Sequence, residues 1–87
     1  MSTITRADLE GIIRHAIAQI APDVNASEIE PDEDYREEVE LDSMDFLAFV
    51  AAVERETRLT IPELDYPDIT TIGAFADYLL HRLEETE

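Results

Sequence analysis

Apolar residues recur near the start of the chain with the spacing of one helical face. Leu9, Ile12, Ile13, Ala16, Ile17 and Ile20 follow the i, i+3, i+4, i+7 pattern. Thr5, with Asp8 three residues later, reads as a capping-box variant, and Ile4 with Leu9 can form a hydrophobic staple. Pro22 disfavours helical geometry at Ala21, so the pattern predicts a helix over about residues 6 to 20. No period persists between Pro22 and Leu41. Asn25-Ala26-Ser27 and Pro31-Asp32 are turn chemistry, and a structureless connection of that length is unusual inside a small domain. Val24, Ile29, Tyr35, Val39 and Leu41 are the residues that would pin it to a core, with a short helical turn near Tyr35. An ordered loop is expected here, not a linker.

A second helix starts behind Asp42, an N-cap residue type, with Asp45 placed to complement its positive end. It runs to about Thr57, and Arg55 and Arg58 suit its negative end. Ile61-Pro62-Glu63-Leu64-Asp65-Tyr66 allows one short helical turn, with Pro62 at its first position and Pro67 closing it. A last helix opens after Thr70 or Thr71 and carries Ile72, Phe75, Ala76, Leu79, Leu80 and Leu83 at helical spacing. Strict alternation is sustained nowhere, so strands are not expected. The pattern predicts one all-α domain over residues 1–87: a small helical bundle with three main helices, one short helix and a long first loop.

The second helix is apolar on two sides. At about 100° per residue, Phe46, Phe49, Val50 and Val53 share one side, and Met44, Leu47, Ala48 and Ala51 fall almost opposite. A helix on the surface of a small bundle buries one stripe, so the second must meet something else. Either neighbouring helices flank it on both sides, or the second stripe is a docking surface that begins beside Ser43.

Composition narrows the functions open to such a bundle. A content of 45% hydrophobic and 32% charged residues supports a packed core in 87 residues. The six basic residues are all Arg, and against 22 acidic ones they leave a formal charge of −16. Nucleic acid and anionic membrane surfaces both demand clustered cations, so neither is an expected partner. Basic protein surfaces are, drawn by a field that salt screens. With no Cys the chain has no disulfide, thiolate metal site or thiol nucleophile of its own. With no Lys it has neither a Schiff-base amine nor a Walker lysine. The longest apolar run, Phe46 to Val53, is eight residues and too short to span a bilayer. Residues 1–6 lack the apolar stretch of a signal peptide. A cytoplasmic, monomeric protein is expected.

Ser43 opens the second helix, where a surface hydroxyl lies beside unpaired backbone N–H groups that tolerate an attached phosphate. A serine there is ordinarily part of a cap. Its setting changes the reading: Leu41-Asp42-Ser43-Met44-Asp45 resembles the acyl carrier protein family, whose signature is Asp-Ser-Leu at the start of the second helix. The resemblance covers nearly the whole chain. It takes in the amphipathic first helix, the long first loop, Ile61-Pro62, Ile69-Thr70-Thr71-Ile72 and Asp77-Tyr78-Leu79.

The resemblance implies that a phosphopantetheinyl transferase esterifies Ser43 with 4′-phosphopantetheine from coenzyme A. The arm's thiol then carries acyl groups as thioesters. Asp42 and Met44 flank the attachment point. Asp42, Asp45 and Glu54 match family positions where acids meet basic patches on acyl-activating, acyl-transferring or condensing enzymes. Met44, Leu47, Ala48 and Arg55 complete the expected partner face. Met44 replaces the usual Leu, a volume-conserving swap. Ala48 and Arg55 stand where the family often carries acids, which points away from generic partners of fatty-acid synthesis and towards a dedicated pathway, among the fatty-acid, polyketide and related lipid or secondary-metabolite syntheses that such carriers serve. Phe46, Phe49, Val50, Ile61 and Phe75 are the expected walls of an interior that shelters the acyl chain. The rival readings are an aminoacyl or peptidyl carrier, and an unmodified acidic adaptor that binds a basic protein through the same helix.

Other candidate chemistry is weaker. Asp32, Asp34 and Arg36 begin like a calcium loop, but Arg36 fills a ligand position and Glu37 stands where the turn glycine belongs. The ten acids from Glu28 to Asp45, against one Arg, read as a solvated face before a divalent-cation site. His15 lies off the apolar stripe of the first helix and His81 near the end of the last, both as surface histidines. Nothing supplies Ser43 with a catalytic base, so no catalytic or metal residues are expected.

Overall fold

The capping box at Thr5 starts helix α1, Arg6–Ile20: the Thr5 hydroxyl accepts from the Asp8 N–H at 3.1 Å, and the Asp8 carboxylate accepts from the Thr5 N–H at 3.0 Å. The computed structural model describes residues 4–85. Residues 1–3, part of the stretch read for a signal peptide, and residues 86–87 lie outside the described residues. Helices α2 (Tyr35–Val39), α3 (Ser43–Thr57) and α4 (Ile72–Glu85) follow α1 in chain order. Among the described residues there is no strand, only an isolated antiparallel bridge between Asp34 and Thr71. The all-α bundle expected from the periodicity is the observed fold.

Helix α1 packs against both α3 and α4, and its periodic residues point inward: Leu9, Ile13, Ala16 and Ile17 are buried, while Ile12 and Ile20 pack half-buried at the margin. Phe49, Val50 and Val53 of α3 and Ile72, Phe75, Ala76 and Leu79 of α4 complete the core. Phe49 is its centre, meeting Phe75 edge-on at 5.7 Å and Tyr35 at 5.3 Å between ring centroids. Ala52, outside both stripes read from the sequence, is buried as well.

The long first connection is indeed ordered. Ile29, Tyr35 and Val39 are buried and Val24 and Leu41 half-buried, and the helical turn near Tyr35 is α2. A 3₁₀ turn at Ala26–Glu28 was not visible in the periodicity, because three residues carry no period. Arg14 fastens this loop to α1, its Nη1 donating to the carbonyls of Ala26 at 2.6 Å and Ile29 at 2.7 Å. Arg6 makes a similar clasp from α1 to α4, pairing with Asp77 at 2.6 Å and Glu10 at 2.8 Å. Here Gly73 is required: its N–H donates to the Pro31 carbonyl at 2.8 Å, and a Cβ would lie 3.0 Å from both that oxygen and the Arg6 guanidinium.

One local expectation is corrected. Pro62 does not begin the turn after α3 but precedes it with extended geometry, φ −65° and ψ 147°, and Pro67 lies inside the resulting 3₁₀ segment, Glu63–Ile69, instead of ending it. The fixed φ of proline suits 3₁₀ geometry, so Pro67 does not break it as it would an α-helix. Tyr78 ties the segment to α4: its hydroxyl donates to Asp65 at 2.6 Å and accepts from Arg82 at 2.7 Å.

Tyr35 carries the most deeply buried polar tie. Its ring is fully buried and its hydroxyl donates to the Ile69 carbonyl, fixing α2 to the 3₁₀ segment. Burial pushes the phenol well above its ordinary pKa and so favours the protonated, donating form. Tyr35→Phe is expected to destabilise by about 1–3 kcal/mol, the cost of leaving a buried carbonyl unpaired, as read by denaturant unfolding.

Candidate functional site

Asp42 builds the start of α3. It is the N-cap residue, with extended backbone geometry, and its Oδ1 accepts from the Asp45 N–H at 2.7 Å. Ser43 is the first helical residue, exposed, directly at the positive end of a 15-residue helix. Its hydroxyl makes no hydrogen bond among the described residues, since the cap belongs to Asp42. Glu40, in left-handed geometry with φ 51°, ends α2 and turns the chain into this cap within two residues.

The second stripe of α3 is open to solvent, so neighbouring helices do not flank it on both sides. Met44 is 79% exposed and Leu47 54% exposed, Ala48 is exposed, and Ala51 is half-buried at the edge. Asp45 is exposed beside them. Leu64, 91% exposed on the 3₁₀ segment, is a further large apolar side chain at the surface. The sequence held only a weak signal for it: one Leu in a short acidic turn has no period to betray its direction. Phe46, read as core, is only half-buried; it meets the Tyr66 ring edge-on at 5.2 Å, between α3 and the 3₁₀ segment. The remaining expected interior walls, Phe49, Val50, Ile61 and Phe75, are buried.

The two distal members of the expected partner face differ. Glu54 is half-buried, and its Oε2 accepts from the Ile61 N–H at 2.7 Å, so this carboxylate holds the chain leaving α3. Arg55 is exposed near the end of the helix.

His15 and His81 are both exposed; His15 shares a hydrogen bond with Gln19, and His81 lies 2.8 Å from Glu85. No group of three or more His, Cys, Asp or Glu among the described residues is arranged to hold a metal ion. Nor is any helix among them long and apolar enough to cross a membrane. A surface cleft of about 330 Å³ between the starts of α1 and α4, lined by Arg6, Pro31, Gly73 and Asp77, contains none of the predicted site residues.

The acidic stretch ahead of Ser43 is crowded. Although Glu33 is exposed, its carboxyl is pushed above the ordinary range, first by local desolvation, then by Glu38 and by the charges of Glu30 and Asp32. Screening should relieve the compact state more than the unfolded chain, whose charges lie further apart. The melting temperature is therefore expected to rise between low and physiological ionic strength, and a calorimetric scan indifferent to salt would show that repulsion does not limit stability.

A family model described as "Phosphopantetheine attachment site" matches residues 12–79. The acyl carrier protein of Rubrobacter xylanophilus is 32% identical over 57 residues, which cover 66% of this chain and 70% of that protein. No solved structure matches. Carrier domains of this type are non-catalytic. With the matched region spanning α3 and the greater part of α1 and α4, the chain belongs to the acyl carrier family of phosphopantetheine-binding domains.

Proposed function

We propose that Ser43 is the attachment point of 4′-phosphopantetheine and that residues 1–87 act as one carrier domain for acyl groups. The observation that carries this reading is an exposed serine hydroxyl without a hydrogen-bond partner among the described residues, at the N-terminus of a long helix capped by its neighbour Asp42. The hydroxyl is accessible, and the positive end of α3 favours a phosphodiester beside it. When bound, the group supplies a thiol on which acyl chains are held as thioesters. The chain itself has no cysteine to compete for them.

The protein's own residues orient and present the arm. Asp42 fixes the first turn of α3, Met44 and Leu47 offer apolar anchors beside it, and Asp42 and Asp45 offer charge to a transferase and to acyl-handling enzymes with basic patches. Phe46 and Tyr66 meet edge-on at the margin of the core, and the buried Phe49, Val50, Ile61 and Phe75 are the walls proposed for a sheltered acyl chain. Arg55 in place of an acid supports a dedicated pathway over generic fatty-acid synthesis. The test is intact mass before and after incubation with coenzyme A and a broad-specificity phosphopantetheinyl transferase. One added phosphopantetheine per chain is expected. No addition under conditions that load a control carrier would favour the unmodified acidic adaptor.

A further inference from the structure

Arginine is scarce in this chain, and most of it is committed to the fold. Arg6 pairs with Glu10 and Asp77, Arg14 holds the Ala26 and Ile29 carbonyls, Arg36 pairs with Asp34 at 2.8 Å, and Arg82 donates to Tyr78. Arg55 and Arg58 are different. Both are exposed, and among the described residues neither guanidinium has a hydrogen-bond or ion-pair partner, in a chain with 22 acids. Arg58 itself caps the end of α3 in left-handed geometry, with φ 61°.

Their position on the helix links them to the exposed stripe. At about 100° per residue, Met44, Leu47, Ala48, Ala51 and Arg55 fall within one arc of about 100°, and Arg58 follows one turn on. Along the axis, the exposed surface of α3 runs from Asp42, its N-cap, and Asp45, about 60° to one side of the stripe, past the apolar residues to Arg55 and Arg58, where the Glu54 carboxylate is held by the Ile61 N–H. Asp42 and Arg55 are 13 residues apart, about 20 Å along the axis. That exceeds the Debye length of about 8 Å at physiological salt, so a partner meets two separate charges and not their average. The helix dipole favours a cation in the last turn, but it does not require two guanidinium groups to stay unpaired amid so many carboxylates.

We propose that the partner enzyme of this carrier docks along α3 with split polarity: a basic group opposite Asp42 and Asp45, an apolar centre over Met44 and Leu47, and carboxylates opposite Arg55 and Arg58. The inference rests on the carrier reading of Ser43. Arg55 and Arg58 are specificity-determining residues: they pair with an acidic rim and reject an acyl-handling enzyme whose docking patch is basic throughout, since like charges in contact are strongly disfavoured.

The experiment uses the phosphopantetheine-loaded protein and a malonyl-transferring enzyme with a basic docking patch. A second form of that enzyme has the basic residues facing the far end of the helix replaced by Glu. Intact mass first checks loading of every carrier variant; failure of the parent to load removes the carrier reading, and this inference with it. With loading established, the parent is expected to be acylated about tenfold more efficiently, in kcat/KM at low salt, by the Glu-bearing enzyme than by the native one. Arg55→Glu/Arg58→Glu should invert that preference, and Arg55→Gln/Arg58→Gln should fall between; the Gln pair decides the matter if the Glu pair does not fold. The crossing should shrink to about twofold or less near 1 M salt, where the Debye length is about 3 Å. If either reversal changes both enzymes' rates alike, or neither, Arg55 and Arg58 do not select the partner and the proposal fails.

Discussion

Ser43→Ala is expected to take up no phosphopantetheine while keeping its helicity and its melting temperature. Both halves follow from one local arrangement. The cap of α3 is made by the Asp42 carboxylate on the Asp45 N–H, so the serine side chain contributes nothing to it. Ser43 is exposed, and an exposed substitution without a special role costs within about 0.5 kcal/mol. Ser27 should not substitute for Ser43: its Oγ is 2.6 Å from Asn25 Oδ1 in a 3₁₀ turn of three residues. Mass spectrometry after transferase treatment and a thermal scan check the two halves separately. An alanine variant that still gains the adduct would move the attachment site elsewhere. Asp42→Ala, by contrast, should lose about 0.5–2 kcal/mol of stability from the missing cap.

Phe49→Ala is expected to cost about 3–5 kcal/mol, a large share of the 5–15 kcal/mol that holds a typical domain together. Phe49 is wholly buried and touches three other aromatic rings, those of Tyr35, Phe46 and Phe75. Removing it leaves a cavity between Tyr35 of α2, Phe46 of α3 and Phe75 of α4. For a domain of this size the melting temperature should fall by about 12 °C or more. Leu47→Gln, two residues away on the exposed stripe, should change stability by no more than about 0.5 kcal/mol. The same change should slow transfer to a partner enzyme, because apolar anchors near an interface centre carry much of its binding energy. Comparable unfolding by both variants would place Leu47 in the core and require a different docking face.

These two outcomes separate fold from function on a single helix. Its buried side is held by aromatic packing and its open side by nothing within the described structure. The family match sets the chemistry of the group such a domain carries, and the proposed choice of partner rests on side chains that the bundle leaves free. Four of the six arginines pair with other residues of the chain, whereas the guanidinium groups of Arg55 and Arg58 have no partner among the described residues.

Much of this was legible before any coordinates. Helix α1 runs over Arg6–Ile20, as its apolar spacing and the Thr5 and Asp8 cap predict, because both signals are local and act within one or two turns. The position of Ser43 behind an Asp42 cap was equally local, and so was the two-sided apolar pattern of α3. What local pattern cannot decide is which of two apolar faces meets the core, since period alone treats them alike; the packing of α1 and α4 against one side left Met44 and Leu47 open. Pro67 inside a 3₁₀ segment, and the loop carbonyls held by Arg14, also needed the tertiary structure. The same holds for the charges: composition counts six arginines, but only the contacts of the folded chain, such as Arg6 with Asp77, reveal which are paired and which stay unpaired among the described residues.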